Sequence, residues 1–447
     1  MAQLLIITMM VSALSFRFLE SYGFPGLLKF IPELTAMGAI AVFLLIGVRN
    51  QFRYVRPVYW LVFGALSVDL VCGALTNMIE PGPLFAGLRT YLRALPFFLL
   101  PAVVLLKDRQ IRTQLSLLLG ICIVQLPIAW SQRMTTQAEG AITGDRTVGT
   151  LVQSGTLSVF LISATCMLTA FYLRGRISRG WYLILLVVFL APTMINETKI
   201  TLFMLPVALM TTFYVGAAPG KRLKNTLLGL IVLSGFMAVF IPVYDYYVEP
   251  RWGYGIIEFL TMEDRVENYL YKGTGIGVAP EKPTGRVDSI LVAVSELSKD
   301  PAQFLFGFGI GNASDSALGN QFTGAYYNLF KNFTITALTA LFLELGLLGL
   351  GLVLLLHWLI FRDSVAVARG DDGMVGALAA GWAGVSAAIV MGMLYNSAIE
   401  SAALSYLYWY FSGTIAAFRM RSLFGELSMS DQRMLDQREI EALPPNT

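Results

Sequence analysis

The sequence predicts an all-α polytopic membrane protein of about twelve transmembrane helices, with one large polar loop subdomain between the ninth and tenth. Three observations point there. Of the 447 residues, 56% are hydrophobic and only 14% charged, where soluble domains carry roughly 25% charge; the mean hydropathy is +0.66. Apolar runs able to cross a bilayer, which takes about 17–25 residues, recur along the chain. Lys and Arg collect in alternate connections, the bias that marks cytoplasmic loops. A transmembrane β-barrel would alternate polar and apolar residues in short segments, and this chain does not.

Taken in order, the apolar spans fall at 3–16, 32–48, 57–77, 93–106, 114–131, 148–173, 180–195, 200–216, 226–243, 335–361, 374–395 and 402–418. Gln3–Ser15 has no basic segment before it and reads as a retained short first helix rather than a cleaved signal. Alternate connections carry Arg49, Arg53 and Arg56; Lys107, Arg109 and Arg112; Arg174, Arg176 and Arg179; Lys221, Arg222 and Lys224; Arg362 and Arg369; Arg419 and Arg421. This places both termini in the cytoplasm. Residues 132–147, 196–199, 244–334 and 396–401 then face outward. The chain divides into membrane helices (1–243), an outward loop subdomain (244–334), further membrane helices (335–418) and a polar cytoplasmic tail (419–447).

Composition also excludes several classes. Cys72, Cys122 and Cys166 each lie in an apolar run, so they read as packing residues rather than a disulfide framework. With His357 the single histidine and no Cys/His cluster, no zinc site is expected. Neither a P-loop nor a dinucleotide-binding fingerprint is present. No cofactor is expected, nor is nucleic acid a partner.

The interval from Tyr244 to Phe330 is the only long polar stretch. Within it Val287, Ile290, Leu291, Val294 and Leu297 recur at helical spacing and predict one apolar face, packed on the membrane domain or lying at the lipid interface. Thr284 is positioned to cap this helix and Pro301 to stop it. Gly307, Gly309 and Gly311 follow in a turn where backbone amides can approach a phosphate closely, or which simply joins two packed segments.

Outward-side cations near helix ends are the candidate anion-binding set: Arg146, Lys199, Arg286, and the pair Arg89 and Arg93 one turn apart. Arginine forks match phosphate oxygens and lysine acts as a point charge. The plainer alternative for each is a snorkelling interface residue or a local ion pair. The better-placed acids are Glu197, Asp288, Asp315 and Glu344. Glu344 lies a few turns into the tenth helix, where an intramembrane acid is functional by default. Asp69 is also intramembrane and reads as a structural partner for Arg89 or Arg93.

These residues resemble the O-antigen ligase and Wzy-type polysaccharide polymerase superfamily. Three pieces carry the likeness: Arg146-Thr-Val-Gly149-Thr leading into a helix; Gly285-Arg286, a helix, Asp300-Pro301 and the glycine turn; and Glu344-Leu-Gly346-Leu-Leu-Gly349. The resemblance implies metal-independent glycosyl transfer at the periplasmic face of a bacterial inner membrane. The glycan would leave undecaprenyl pyrophosphate held by Arg146 and Arg286, with Lys199, Arg89 and Arg93 as further pyrophosphate contacts. An acid, Glu344, Glu197 or Asp288, would orient or deprotonate the acceptor hydroxyl. Membrane lipid, a chain-length regulator and export proteins are the implied partners. The ligases carry a histidine ahead of the Glu-x-Gly motif, whereas here Asn332–Thr336 has none, which favours a polymerase. A ligase, a flippase of lipid-linked sugars and a non-catalytic assembly partner are the rival readings.

Overall fold

A computed structural model describes residues 1–447 except 50, 51, 53, 105, 139–143, 273–284, 317 and 426–447. Among the described residues the chain is helical and contains no strands, and eight helices are long and apolar enough to cross a membrane. The N-terminal helices are α1 (Ala2–Ser21), α2 (Ile31–Arg49), α3 (Pro57–Thr76), α4 (Pro81–Leu92) and α5 (Leu95–Val103). The sequence reading placed its fourth span at 93–106, but α5 has only nine residues. At 1.5 Å per residue it covers about 14 Å, too short to cross a bilayer. Pro96 opens α5 and forces the break from α4.

The middle of the chain forms α6 (Asp108–Ala138), α7 (Ser154–Leu173), α8 (Arg179–Ile195), α9 (Ile200–Gly216) and α10 (Arg222–Trp252). The loop expected to begin at Tyr244 is helical there: α10 continues until Gly253 adopts the left-handed conformation (φ 71°) that ends helices. Beyond it come α11 (Ile256–Thr261), α12 (Glu263–Glu267), a π turn (Asn268–Lys272), α13 (Arg286–Leu297), α14 (Pro301–Phe306) and α15 (Tyr327–Phe330). The chain then returns through α16 (Ala337–Gly370), α17 (Met374–Tyr395) and α18 (Ala402–Leu423).

The bundle centres on α7 and α17, whose membrane windows are 78% and 83% buried. Small residues permit this. Gly381 lies against the backbone of Cys166 and Met167, and Gly384 against the Ala208 carbonyl and Thr212 of α9. Without a hydrophobic force between helices in lipid, such close approach supplies the packing energy.

The connections sort into two ends. At one, Asp363 pairs with Arg56 and Arg419 and accepts a 2.8 Å bond from the Tyr59 hydroxyl, Arg174 pairs with Asp372, and Arg421 donates to the carbonyls of Pro101 and Ala102. At the other, Arg89 pairs with Glu33, Arg93 donates to the Glu400 carbonyl, and Asn196 donates to the Ser154 carbonyl. The paired residues lie in or beside connections that the charge pattern had grouped together.

The segment from α13 to α15 docks on the start of α16 through Ala293, Leu297, Phe308, Phe330 and Phe342. The buried face of α13 is Ser289, Ala293 and Leu297, while Leu291 and Val294 of the predicted stripe are exposed. Small side chains win that face because the backbone must come close: a Cβ on Gly285 would lie 2.1 Å from the Leu270 carbonyl oxygen. The predicted cap Thr284 lies outside the described residues. Pro301, expected to stop α13, is the first residue of α14, which Asp300 caps by accepting from the Ala302 amide at 2.8 Å.

Helix α16 is interrupted at Gly346 (φ 63°, ψ −164°). A Cβ there would stand 2.4 Å from the Gly307 nitrogen and 2.4 Å from the Leu305 oxygen. Gly346→Ala is therefore expected to cost about 1–3 kcal/mol from backbone strain alone, with steric overlap in addition. Gly351→Ala, whose Cβ meets nothing within 4 Å, should be neutral or slightly stabilising. Thermal unfolding of the two variants in detergent separates them.

Candidate functional site

The site forms where the C-terminal ends of α6, α10 and α17 meet the N-terminal ends of α9 and α13. It begins on α6. Gln125 and Gln132 are seven residues apart and share one helix face, and together they clamp the segment after Arg146. Gln132 accepts from the Val148 and Gly149 amides at 2.9 and 2.8 Å and donates to the Gly149 carbonyl at 2.7 Å. Gln125 accepts from the Thr150 amide at 2.9 Å and donates to the Thr150 hydroxyl at 2.8 Å. Gly149 has φ 62°, and a Cβ there would strike Gln125. Arg146 stands exposed on the turn Gly144–Arg146. Gly144 packs on Asn196 and the Glu197 side chain, so that turn abuts residues 196–199.

Arg133, 1% exposed, forms an ion pair with Glu197, and its guanidinium lies 4.9 Å from the Tyr247 ring centre. Glu197 has a left-handed backbone (φ 57°), rare for a residue with a Cβ. The Asn196 side chain folds this bend locally, accepting from the Thr198 amide at 3.1 Å. Lys199 follows, with its ammonium 4.0 Å from the Phe259 ring centre and 4.8 Å from that of Tyr269.

Arg286 also meets Tyr269. Its guanidinium lies 4.3 Å from the Tyr269 ring centre and 4.4 Å from that of Tyr395, and its Nε donates to the Tyr395 carbonyl at 2.9 Å. The two tyrosine hydroxyls hydrogen-bond each other. Burial, followed by the neighbouring Tyr395, raises the Tyr269 pKa well above its ordinary value, against a lowering contribution from Arg286. The Tyr269 phenol therefore stays neutral, and the rings of Tyr269 and Tyr395 lie beside the Arg286 guanidinium. Among the described residues no carboxylate lies within ion-pair distance of Arg286.

The structure thus brings Lys199 and Arg286 onto one tyrosine ring and sets the Arg146 turn against Glu197. Arg89 and Arg93 form a separate group: Arg89 bonds Glu33 through Nε at 3.0 Å and NH2 at 2.5 Å, and Arg93 lies 3.9 Å from the same carboxylate. Glu33, not Asp69, is their acidic partner. Asp69 is buried against Gly349 with no hydrogen-bond partner among the described residues. Asp288 sits in the first turn of α13, where negative charge suits the helix dipole, and makes no ion pair among the described residues. Asp315 accepts from the Thr323 hydroxyl at 3.0 Å on the surface.

Glu344 lies at the break in α16 and faces the glycine turn. Its Oε1 accepts from the Ser314 hydroxyl at 2.5 Å, and the carboxyl is surrounded by the Gly311 and Ala313 amides and the Tyr91 hydroxyl. The three turn glycines all have positive φ and approach other backbones: Gly307 meets Glu344 and Gly346, Gly309 meets Gly73, and Gly311 meets Pro83 and Gly87. The turn is filled by α3, α4 and α16 rather than open to a ligand.

Several site residues had escaped sequence reasoning. Arg133 lies at the end of an apolar helix with no motif around it. Gln125 and Gln132 were visible as polar residues on one face of an apolar helix. Tyr395 ends α17 and Glu400 lies in the short connection after it, with no motif at either. Among the described residues no three His, Cys, Asp or Glu side chains group to hold a metal ion. No protein-family model matches the chain, and a search of curated proteins finds no match.

Proposed function

We propose that this chain is a metal-independent, multi-pass glycan polymerase with both termini in the cytoplasm of a bacterium and its site at the periplasmic face of the inner membrane. It would transfer a growing glycan from undecaprenyl pyrophosphate to a hydroxyl of the next lipid-linked repeat unit. The observation that carries this reading is Arg286, half-buried, held rigid between Tyr269 and Tyr395, and lacking a carboxylate partner among the described residues. Such a guanidinium is preorganised for an anion, and a pyrophosphate leaving group is one whose charge grows as the bond breaks. Lys199 and Arg146 extend the cationic field beside it, and the Arg133–Glu197 pair braces residues 196–199 that carry Lys199. Glu344 in this account anchors the glycine turn rather than touching substrate.

The test is the glycan profile of cells lacking this protein, complemented with wild type or Arg286→Ala. Accumulated single repeat units, rescued only by wild type, are expected. Full-length polymer that fails to reach its lipid acceptor would mean a ligase, and units trapped on the cytoplasmic leaflet would mean a flippase.

A further inference from the structure

The connection between α17 and α18 is tied at both ends by arginines of the outward face. Arg286 holds the Tyr395 carbonyl, and Arg93 donates to the Glu400 carbonyl at 2.6 Å. Five residues of chain span at most about 17 Å, so Glu400 lies within that distance of the Arg286 site along the backbone. The connection is also fixed between these ties. The Ala337 amide donates to the Asn396 carbonyl at 3.1 Å, and the Ala398 amide to the Asn396 side chain at 3.0 Å. Glu400 is thus presented by a rigid turn, as a reacting group needs to be.

Its carboxyl is not spent on structure. Oε1 is buried and has no hydrogen-bond partner among the described residues, a costly arrangement that calls for an explanation. It lines a cavity of about 240 Å³ between α3, α4, α16 and α18, walled mainly by apolar side chains such as Leu70, Leu341, Leu345 and Trp409. We infer that Glu400 is the general base of the transfer, taking the proton of the acceptor hydroxyl. This rests on the polymerase reading above. In the step the acceptor O–H proton moves to Glu400 Oε1, and the oxygen bonds to the anomeric carbon of the donor glycan. The bond from that carbon to the pyrophosphate oxygen breaks, and its electron pair leaves with the pyrophosphate. The proton passes to water when the product departs.

The surroundings suit a base working near neutrality. Burial, then the facing carboxyl of Glu344 on α16, raises the Glu400 pKa to about 7, against the lowering effect of Arg93. Tyr91 on α4 also faces it, and His357 lines the same cavity from α16. The base form is deprotonated, so activity should rise with pH through about 7.

The experiment uses the full-length purified protein with undecaprenyl-pyrophosphate-linked repeat units, following chain elongation from pH 5.5 to 8.5. Wild type is expected to show a rising limb centred near pH 7. Glu400→Gln should elongate about 100- to 10,000-fold more slowly and lose that limb, and Glu400→Asp should retain part of both. Infrared difference spectra of the folded variants give a second readout: the protonated carboxyl absorption that titrates near pH 7 in wild type should be smaller by one group in Glu400→Gln. A Glu400→Gln protein with the wild-type rate and pH profile would overturn the assignment while leaving the polymerase reading intact. No elongation by wild type would remove both.

Discussion

Arg286→Ala is expected to lower chain elongation by about 100- to 1,000-fold, the usual loss when one preorganised charge-stabilising donor is removed. The effect should fall on the chemical step more than on binding, because the leaving pyrophosphate gains charge in the transition state. Arg286→Lys is the sharper variant. It keeps the charge but lacks the planar fork that packs between Tyr269 and Tyr395 and can meet two phosphate oxygens. It should recover only part of the rate. Tyr269→Phe retains the ring face and loses the hydroxyl bond to Tyr395, and should therefore be milder than Tyr269→Ala. Steady-state elongation by the purified variants checks the ranking.

Arg133→Ala is expected to be the most destabilising substitution among the site's polar residues. Arg133 is 1% exposed, and the Glu197 it pairs with has a side chain 8% exposed. Breaking a buried ion pair typically costs about 3–5 kcal/mol. Here the pair holds a residue in a left-handed conformation, so the whole 196–199 turn should loosen and displace Lys199. The double variant Arg133→Met with Glu197→Gln removes both charges and should recover much of the stability. It should not recover activity if the turn must present Lys199 in place. Denaturant or thermal unfolding in detergent gives the coupling between the two sites.

Much of the fold was legible because burial in a bilayer leaves a coarse mark. Apolar runs located the helices, and Lys/Arg alternation sorted the connections into ends that the contacts reproduce, as with Arg56, Asp363 and Arg419 at one end. Interruptions were harder to read. Around Pro96 the continuous apolarity outweighed the proline that interrupts the run, and the Gly346 break lies within a strongly apolar run whose periodicity does not change. On α13 the apolar stripe divides: Leu297 packs inward with Ser289 and Ala293, while Leu291 and Val294 stay exposed, as the lipid-interface alternative leaves them. In the site, Arg286 and Lys199 were visible as cations near helix ends, but their shared partner Tyr269 was one of many aromatics in the loop. Arg89 and Arg93 looked equivalent to them in sequence and are separated from them only by the position of Glu33 on α2. Glu400 had no local signal, since its chemistry comes from a cavity built by four distant helices.

The most direct measurement is to incubate the purified protein with undecaprenyl-pyrophosphate-linked repeat units, without metal or nucleotide, and resolve the products by size. The account predicts a ladder of glycans extended by whole repeat units, released pyrophosphate-linked prenol, and no ladder with Arg286→Ala. Single repeat units unchanged after prolonged incubation with folded wild type, or an equal ladder from the Arg286→Ala protein, would contradict it.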